Sequence, residues 1–177
     1  NLLSVISPIL TGARLNLAGF AKLHKARQLV PFGSEIEVDE SALFFYVLME
    51  KLSPKERTAV AHAVAMDKST SDGWQKLEAK AKKLEKETAS AKLQKPSKVY
   101  AVLAKAPAEQ ALFLLIKSNQ QVVEDRIKNY FQKYLPAAQE ITDRTVIEAG
   151  GTPGTPKFER LKAEMIAKRL DARPKKP

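Results

Sequence analysis

The 177-residue sequence contains no cysteine. That excludes a disulfide framework, a thiolate metal site and a cysteine nucleophile, and it fits a reducing, cytoplasmic compartment. Histidine is scarce: His24 stands among Lys22, Lys25 and Arg27, and His62 beside Ala59 and Met66. Neither has an acid or a second histidine at ligand spacing, so both read as surface or structural residues rather than metal ligands. The longest apolar run, Ala42 to Met49, falls well short of the roughly 20 residues a membrane-spanning helix needs, and no membrane segment is expected. Strand signals are nearly absent, because no stretch alternates apolar and polar residues over more than a few positions.

What is present is apolar spacing of three and four from end to end, with 44% hydrophobic and 28% charged residues. The prediction is an all-α protein without a sheet, an irregular multi-helix bundle or superhelical stack of about eight helices. Helix punctuation supports it. Ser53-Pro54-Lys55-Glu56 is a capping box with proline at the first helical position, opening a helix through Ala65. Asp39 or Ser41 can start the preceding helix, with Leu43, Phe44, Val47 and Leu48 as its core stripe. Ser71 or Asp72 can cap a long helix from Trp74 to about Lys92, with Trp74, Leu77, Ala81 and Leu84 inward.

Further along, Pro96 and Ser97 begin a short helix from Val99 to Ala104, and Pro107 begins another. The second contains Leu112-Phe113-Leu114-Leu115-Ile116, apolar on every side, and belongs in the middle of a bundle. Gln120 to Tyr134 is amphipathic and predicted to end before Pro136, with Val123, Ile127, Tyr130, Phe131 and Tyr134 inward. A helix over Asp143 to Ala149, the turn Gly150-Gly151-Thr152-Pro153-Gly154 and a last helix from Pro156 to about Leu170 complete the chain. Arg173 to Pro177 carries no helix signal and should fray. The division is a helical body over 1–135 and a helical tail over 136–177. The apolar opening Leu2, Leu3, Val5, Ile6, with no initiator methionine, suggests a piece of something longer.

Charge points toward a partner. Thirty basic residues against twenty acidic ones give a net charge of +10, which favours a polyanion. The surplus is concentrated in three places: Arg14, Lys22, Lys25 and Arg27 in the acid-free first thirty residues, the lysine-rich stretch 68–98, and 157–177. The last turn and helix are the most informative. Thr155 can cap, Pro156 sits at the first helical position, and Gly151 and Gly154 allow close backbone approach, so a phosphate would meet free amides and the positive end of the helix dipole. Lys157, Arg160 and Lys168 fall on one side of that helix. The plainer reading of Gly150 to Pro156 is a helix–helix connector.

At these residues a resemblance enters. Ile141-Thr142-Asp143, the Gly150 to Phe158 segment and Ala167-Lys168-Arg169-Leu170-Asp171 resemble the C-terminal tail motif of bacterial tRNA nucleotidyltransferases of the class II, poly(A)-polymerase-like family. That motif has a Gly-x-x-Pro-Gly-x-x-aromatic core and an Ala-x-Leu-Asp ending. Lys95 to Leu103 with Ala111 to Leu114 is similar to the family's body helices, and Ile9 to Gly12 with Leu17 to Leu23 to the segment after its neck. Two departures are the second glycine, Gly151, and Ala172, where a glycine is common.

The resemblance implies the body and tail of an enzyme that adds CCA, or part of it, to tRNA 3′ ends. Their role would be to hold tRNA through the phosphate-binding residues Gly151, Gly154, Thr155, Lys157, Arg160 and Lys168, with Arg14, Lys22, Lys25 and Lys98 as additional contacts. Catalytic residues, Mg2+ and ATP or CTP would belong to an absent head, so the chain alone is expected to be inactive and to need no cofactor. The sequence agrees, having no Asp-x-Asp pair on a strand and no glycine-rich nucleotide loop. The adjacent pairs Asp39-Glu40 and Glu124-Asp125 would diverge on helices, and capping or solvation explains them. Trp74 and Tyr100 are candidate base-stacking residues, with packing the plainer role for Trp74. Two other classes remain open: a protein-interaction module using the 72–92 helix, and a helix-hairpin-helix-like module gripping DNA non-specifically.

Overall fold

The computed structural model describes residues 5, 7–14, 16–32, 34 and 36–172. The opening residues Leu2, Leu3 and Ile6 and the tail Arg173 to Pro177, expected to fray, lie outside them. The chain is all-α, with no strand among the described residues. A short 3-10 turn over Gly12–Arg14 precedes α1 (Leu17–Arg27), α2 (Glu40–Met49), α3 (Pro54–Ala63), α4 (Lys68–Ala89), α5 (Pro96–Leu103) and α6 (Ala108–Lys117). Then follow α7 (Gln121–Asn129), a π-helical turn (Tyr130–Tyr134), α8 (Leu135–Gln139), α9 (Asp143–Glu148) and α10 (Pro156–Asp171). No single helix among the described residues is long and apolar enough to cross a membrane.

Local chemistry sets most helix starts. The Ala42 amide donates to Asp39 Oδ1 at 2.9 Å and opens α2. Ser53 and Glu56 form the reciprocal capping box of α3, each taking an amide that the helix leaves without a partner. The long helix α4 starts earlier than Ser71 or Asp72: Asp67 is its cap, and Oδ1 accepts the Thr70 amide at 2.9 Å. Ser69, Thr70, Ser71 and Gly73 are weak helix formers, which hid the first turn; the Asp67 cap and the burial of Trp74 outweigh them.

Helix α6 is central, packing against α1, α2, α4 and α7, and its Ala111, Leu112, Phe113, Leu114 and Ile116 are buried. Helix α4 supplies Leu77, Ala81 and Leu84 to the same core, and α7 with the π turn supplies Val123, Ile127, Tyr130 and Phe131. A second, smaller core gathers around Trp74, with Leu10, Leu48, Met49, Leu52 and Val60. Phe44, assigned to the α2 core stripe, is instead 45% exposed and tilts against Phe20 at 5.4 Å. Leu43 and Val47 already fill the side of α2 that meets the core.

The amphipathic helix expected to stop before Pro136 continues past it. Tyr134 and Leu135 both have right-handed helical angles, and Leu135 donates its amide to Tyr130 O, five residues back. Proline supplies no amide and its ring crowds the carbonyl four residues earlier; widening the preceding turn to π geometry accommodates both. The 135/136 boundary between body and tail therefore lies within a continuous helical run. Helix α10 returns to pack on α5, α8 and α9.

Candidate nucleic-acid interface

The turn before α10 is built by two positive-φ glycines, Gly150 at 91° and Gly154 at 77°. Gly151 has a different role from the one expected of it. A Cβ there would stand 2.8 Å from Val146 Cγ1 and 2.9 Å from Phe158 Cδ2, so its bareness lets α9 and α10 close on each other rather than admitting a phosphate. Gly154 is exposed, with nothing within 4 Å of its missing Cβ.

The N-terminus of α10 is largely satisfied by its own cap. Thr155 Oγ1 accepts the Phe158 amide at 3.2 Å and donates to the Thr152 carbonyl at 2.7 Å, and Pro156 has no amide to offer. That leaves the Lys157 amide as the first-turn donor without a hydrogen bond among the described residues. The amide contribution to an anion site is thus smaller than the turn chemistry suggested, and the side-chain charges carry more of it. Lys157, Arg160 and Lys168 are exposed and enter no ion pair among the described residues. Two other cations of α10 are compensated: Lys162 pairs with Asp143 at 2.6 Å and Arg169 with Glu140 at 2.6 Å.

The far end of α10 is latched to the body. Asp171 accepts the Ser97 amide at 3.0 Å and the Ser97 hydroxyl at 2.7 Å. Helix α5 has Lys95 at its N-cap, with no side-chain cap of its own, so Asp171 satisfies its open first turn from 74 residues away. Partial burial raises the Asp171 pKa, but the two Ser97 hydrogen bonds and the charges of Lys95 and Lys98 outweigh it and leave the carboxyl below its ordinary value. The latch sets exposed Lys95 and Lys98 beside the helix turn that carries Lys168. Neither lysine enters an ion pair among the described residues.

The other candidate contacts divide. Arg14 is not a free cation: it pairs with Glu56, fastening the Gly12–Arg14 turn to α3. That hydrogen bond, with those from Ser53, holds the Glu56 pKa down at about 2. Lys22 and Lys25 are exposed on α1 and line an open groove of about 610 Å³ with Leu115, Ile116, Glu124 and Lys128. Helix α1 packs on α2 and α6, whereas α10 packs on α5, α8 and α9, so these two lysines form a group separate from the tail cations.

Most of the side chains considered for other chemistry have structural partners. Trp74 is fully buried and its indole N–H donates to Met66 Sδ at 3.2 Å, which removes it from base stacking. His24 and His62 are exposed, and no group of three metal-ligating side chains exists among the described residues. Asp39 caps α2 while Glu40 pairs with Arg27 at 2.6 Å; Glu124 pairs with Lys128 at 3.1 Å and Asp125 accepts from Gln121 at 2.8 Å. Tyr100 is half-buried, its ring 5.8 Å from that of Tyr130. Sequence reasoning missed the Ser97–Asp171 contact, although an uncapped turn at Lys95-Pro96-Ser97 was visible; what filled it was not. No protein-family model, no curated protein and no solved structure matches the chain.

Proposed function

We propose that this chain is the RNA-holding body and tail of a tRNA nucleotidyltransferase, gripping the tRNA backbone and positioning its 3′ end for nucleotide addition. In this reading Mg2+ and ATP or CTP act in a catalytic head outside these 177 residues, and the chain itself performs no chemistry. The observation that carries the proposal is the Asp171–Ser97 latch. It ties the tail segment that resembles the family's motif to the Lys95 to Leu103 segment, and groups the uncompensated cations of the tail helix with Lys95 and Lys98. Backbone recognition of A-form RNA needs such charges more than base-reading side chains. Lys80, Lys83 and Lys86, exposed on α4 and without ion pairs among the described residues, extend the supply of cations toward the α4–α5 turn. They favour a polyanion over a neutral protein surface as the occupant of that helix.

The test is a filter-binding titration of tRNA against the parent and the double variant Lys157→Glu, Arg160→Glu. Affinity should fall about ten-fold or more, and the slope of log affinity on log salt should become shallower by about 0.7–0.9 for each phosphate no longer neutralised. Unchanged affinity with a parent-like slope removes the tail helix from the interface. Equal competition by duplex DNA assigns the surface to general polyanion capture instead.

A further inference from the structure

A cavity of about 820 Å³ opens where the tail meets the body, between α5, the π turn with α8, α9 and α10. Its walls include Ile36, Leu135 and Ile166, and its polar lining includes Tyr100, Tyr130 and Gln139. Tyr130 is only 5% exposed. Its hydroxyl has no protein partner among the described residues, yet it is not one of the fully enclosed polar atoms lacking a hydrogen bond. The small exposed part of Tyr130 therefore includes the hydroxyl, and the space it reaches is the cavity it lines. Such turns of π geometry recur at functional sites, and this one begins at Tyr130. The charged residues of the lining are compensated: Lys162 by Asp143 at 2.6 Å, and Arg144 by Glu148 at 2.9 Å.

We propose that this cavity is a binding site for a neutral, planar, hydrogen-bonding ring of the nucleobase class. Its volume lies in the range of small-ligand sites, and such sites form between the packed helices of a bundle. Apolar walls and the half-buried Tyr100 ring suit a flat ring's faces, while two phenol hydroxyls and an amide suit its edge. The Tyr130 phenol is pushed up to about 12, by burial first and by Tyr100 second, so it stays protonated and donates at neutral pH. Compensated charges leave little to attract a free phosphate or ammonium, which selects an uncharged ring. The site is independent of the backbone grip proposed above. At about 100° per residue, Lys162 and Ile166 lie roughly half a turn around α10 from Lys157, Arg160 and Lys168.

The experiment is an NMR titration of the full chain, with labelled tyrosine rings, using adenosine and cytidine as probes and ribose and inorganic phosphate as controls. Saturable shifts of the Tyr100 and Tyr130 rings with a nucleoside, and none with either control, are expected. Tyr130→Phe keeps the ring but removes the hydroxyl, and should weaken nucleoside binding by about three- to ten-fold; Tyr100→Phe is a second variant of the same kind. The Lys157→Glu, Arg160→Glu protein should bind nucleoside like the parent, whatever its behaviour toward tRNA. No saturable shift up to millimolar nucleoside, shifts confined to other residues, parent-like affinity in both phenylalanine variants, or weakened binding in the double charge variant would each overturn the assignment.

Discussion

At the residue scale, the glycines around α10 show how one residue type serves different demands. Gly154 supplies a positive φ in open space, while Gly151 supplies the absence of a side chain between Val146 and Phe158. Gly151→Ala should destabilise the protein by about 1–3 kcal/mol, because the new methyl group overlaps the Val146 carbonyl as well as side chains. Gly12, where an added methyl group would have nothing within 4 Å, is the control; Gly12→Ala should leave the urea midpoint nearly unchanged. Equal midpoints for Gly151→Ala and the parent would disprove the close-packing role. The sequence showed a glycine-rich turn here, but not which glycine was conformational and which steric. That distinction depends on how closely α9 and α10 approach.

At the element scale, α6 and the latch make opposite demands. Leu114 is 1% exposed on a helix enclosed by four others, so Leu114→Asp buries a carboxylate without a partner. The expected cost is about 4 kcal/mol or more, enough to lower the thermal midpoint by roughly 10 °C or more in a protein of this size. A melt resembling the parent's would remove α6 from the centre of the bundle. Asp171 lies near the surface, and Asp171→Ala should cost about 1 kcal/mol, the usual effect of losing a helix cap. Its folded pKa is depressed relative to the unfolded value near 4, so its contribution is present above that pH and disappears as pH falls through the folded value. The stability difference between parent and variant, measured by urea unfolding across pH, should therefore shrink on acidification. A difference that stays constant from neutral pH downward would show that the Asp171 charge has no part in the latch.

At the scale of the whole molecule, the surplus of positive charge is sorted by pairing. Arg14, Lys162 and Arg169 form ion pairs with carboxylates, whereas Lys98, Lys157, Arg160 and Lys168 form none among the described residues. The net charge in the sequence could not separate the two sets, because pairing joins residues as distant as Arg14 and Glu56. The proposed RNA grip draws on the second set and the proposed ring site on the opposite side of α10, so losing one leaves the other testable.

The all-α class, the Ser53 cap, the central place of α6 and the stripe of α4 were determined by the sequence alone, since each follows from spacing or from a side chain reaching only three residues along the backbone. Tertiary structure decided the rest. The Asp67 start of α4, the helical path through Pro136, the exposure of Phe44, the steric role of Gly151 and the Asp171–Ser97 latch all depend on which surfaces meet. Those meetings are settled by packing energies between elements far apart in the chain, and local preference carries no record of them.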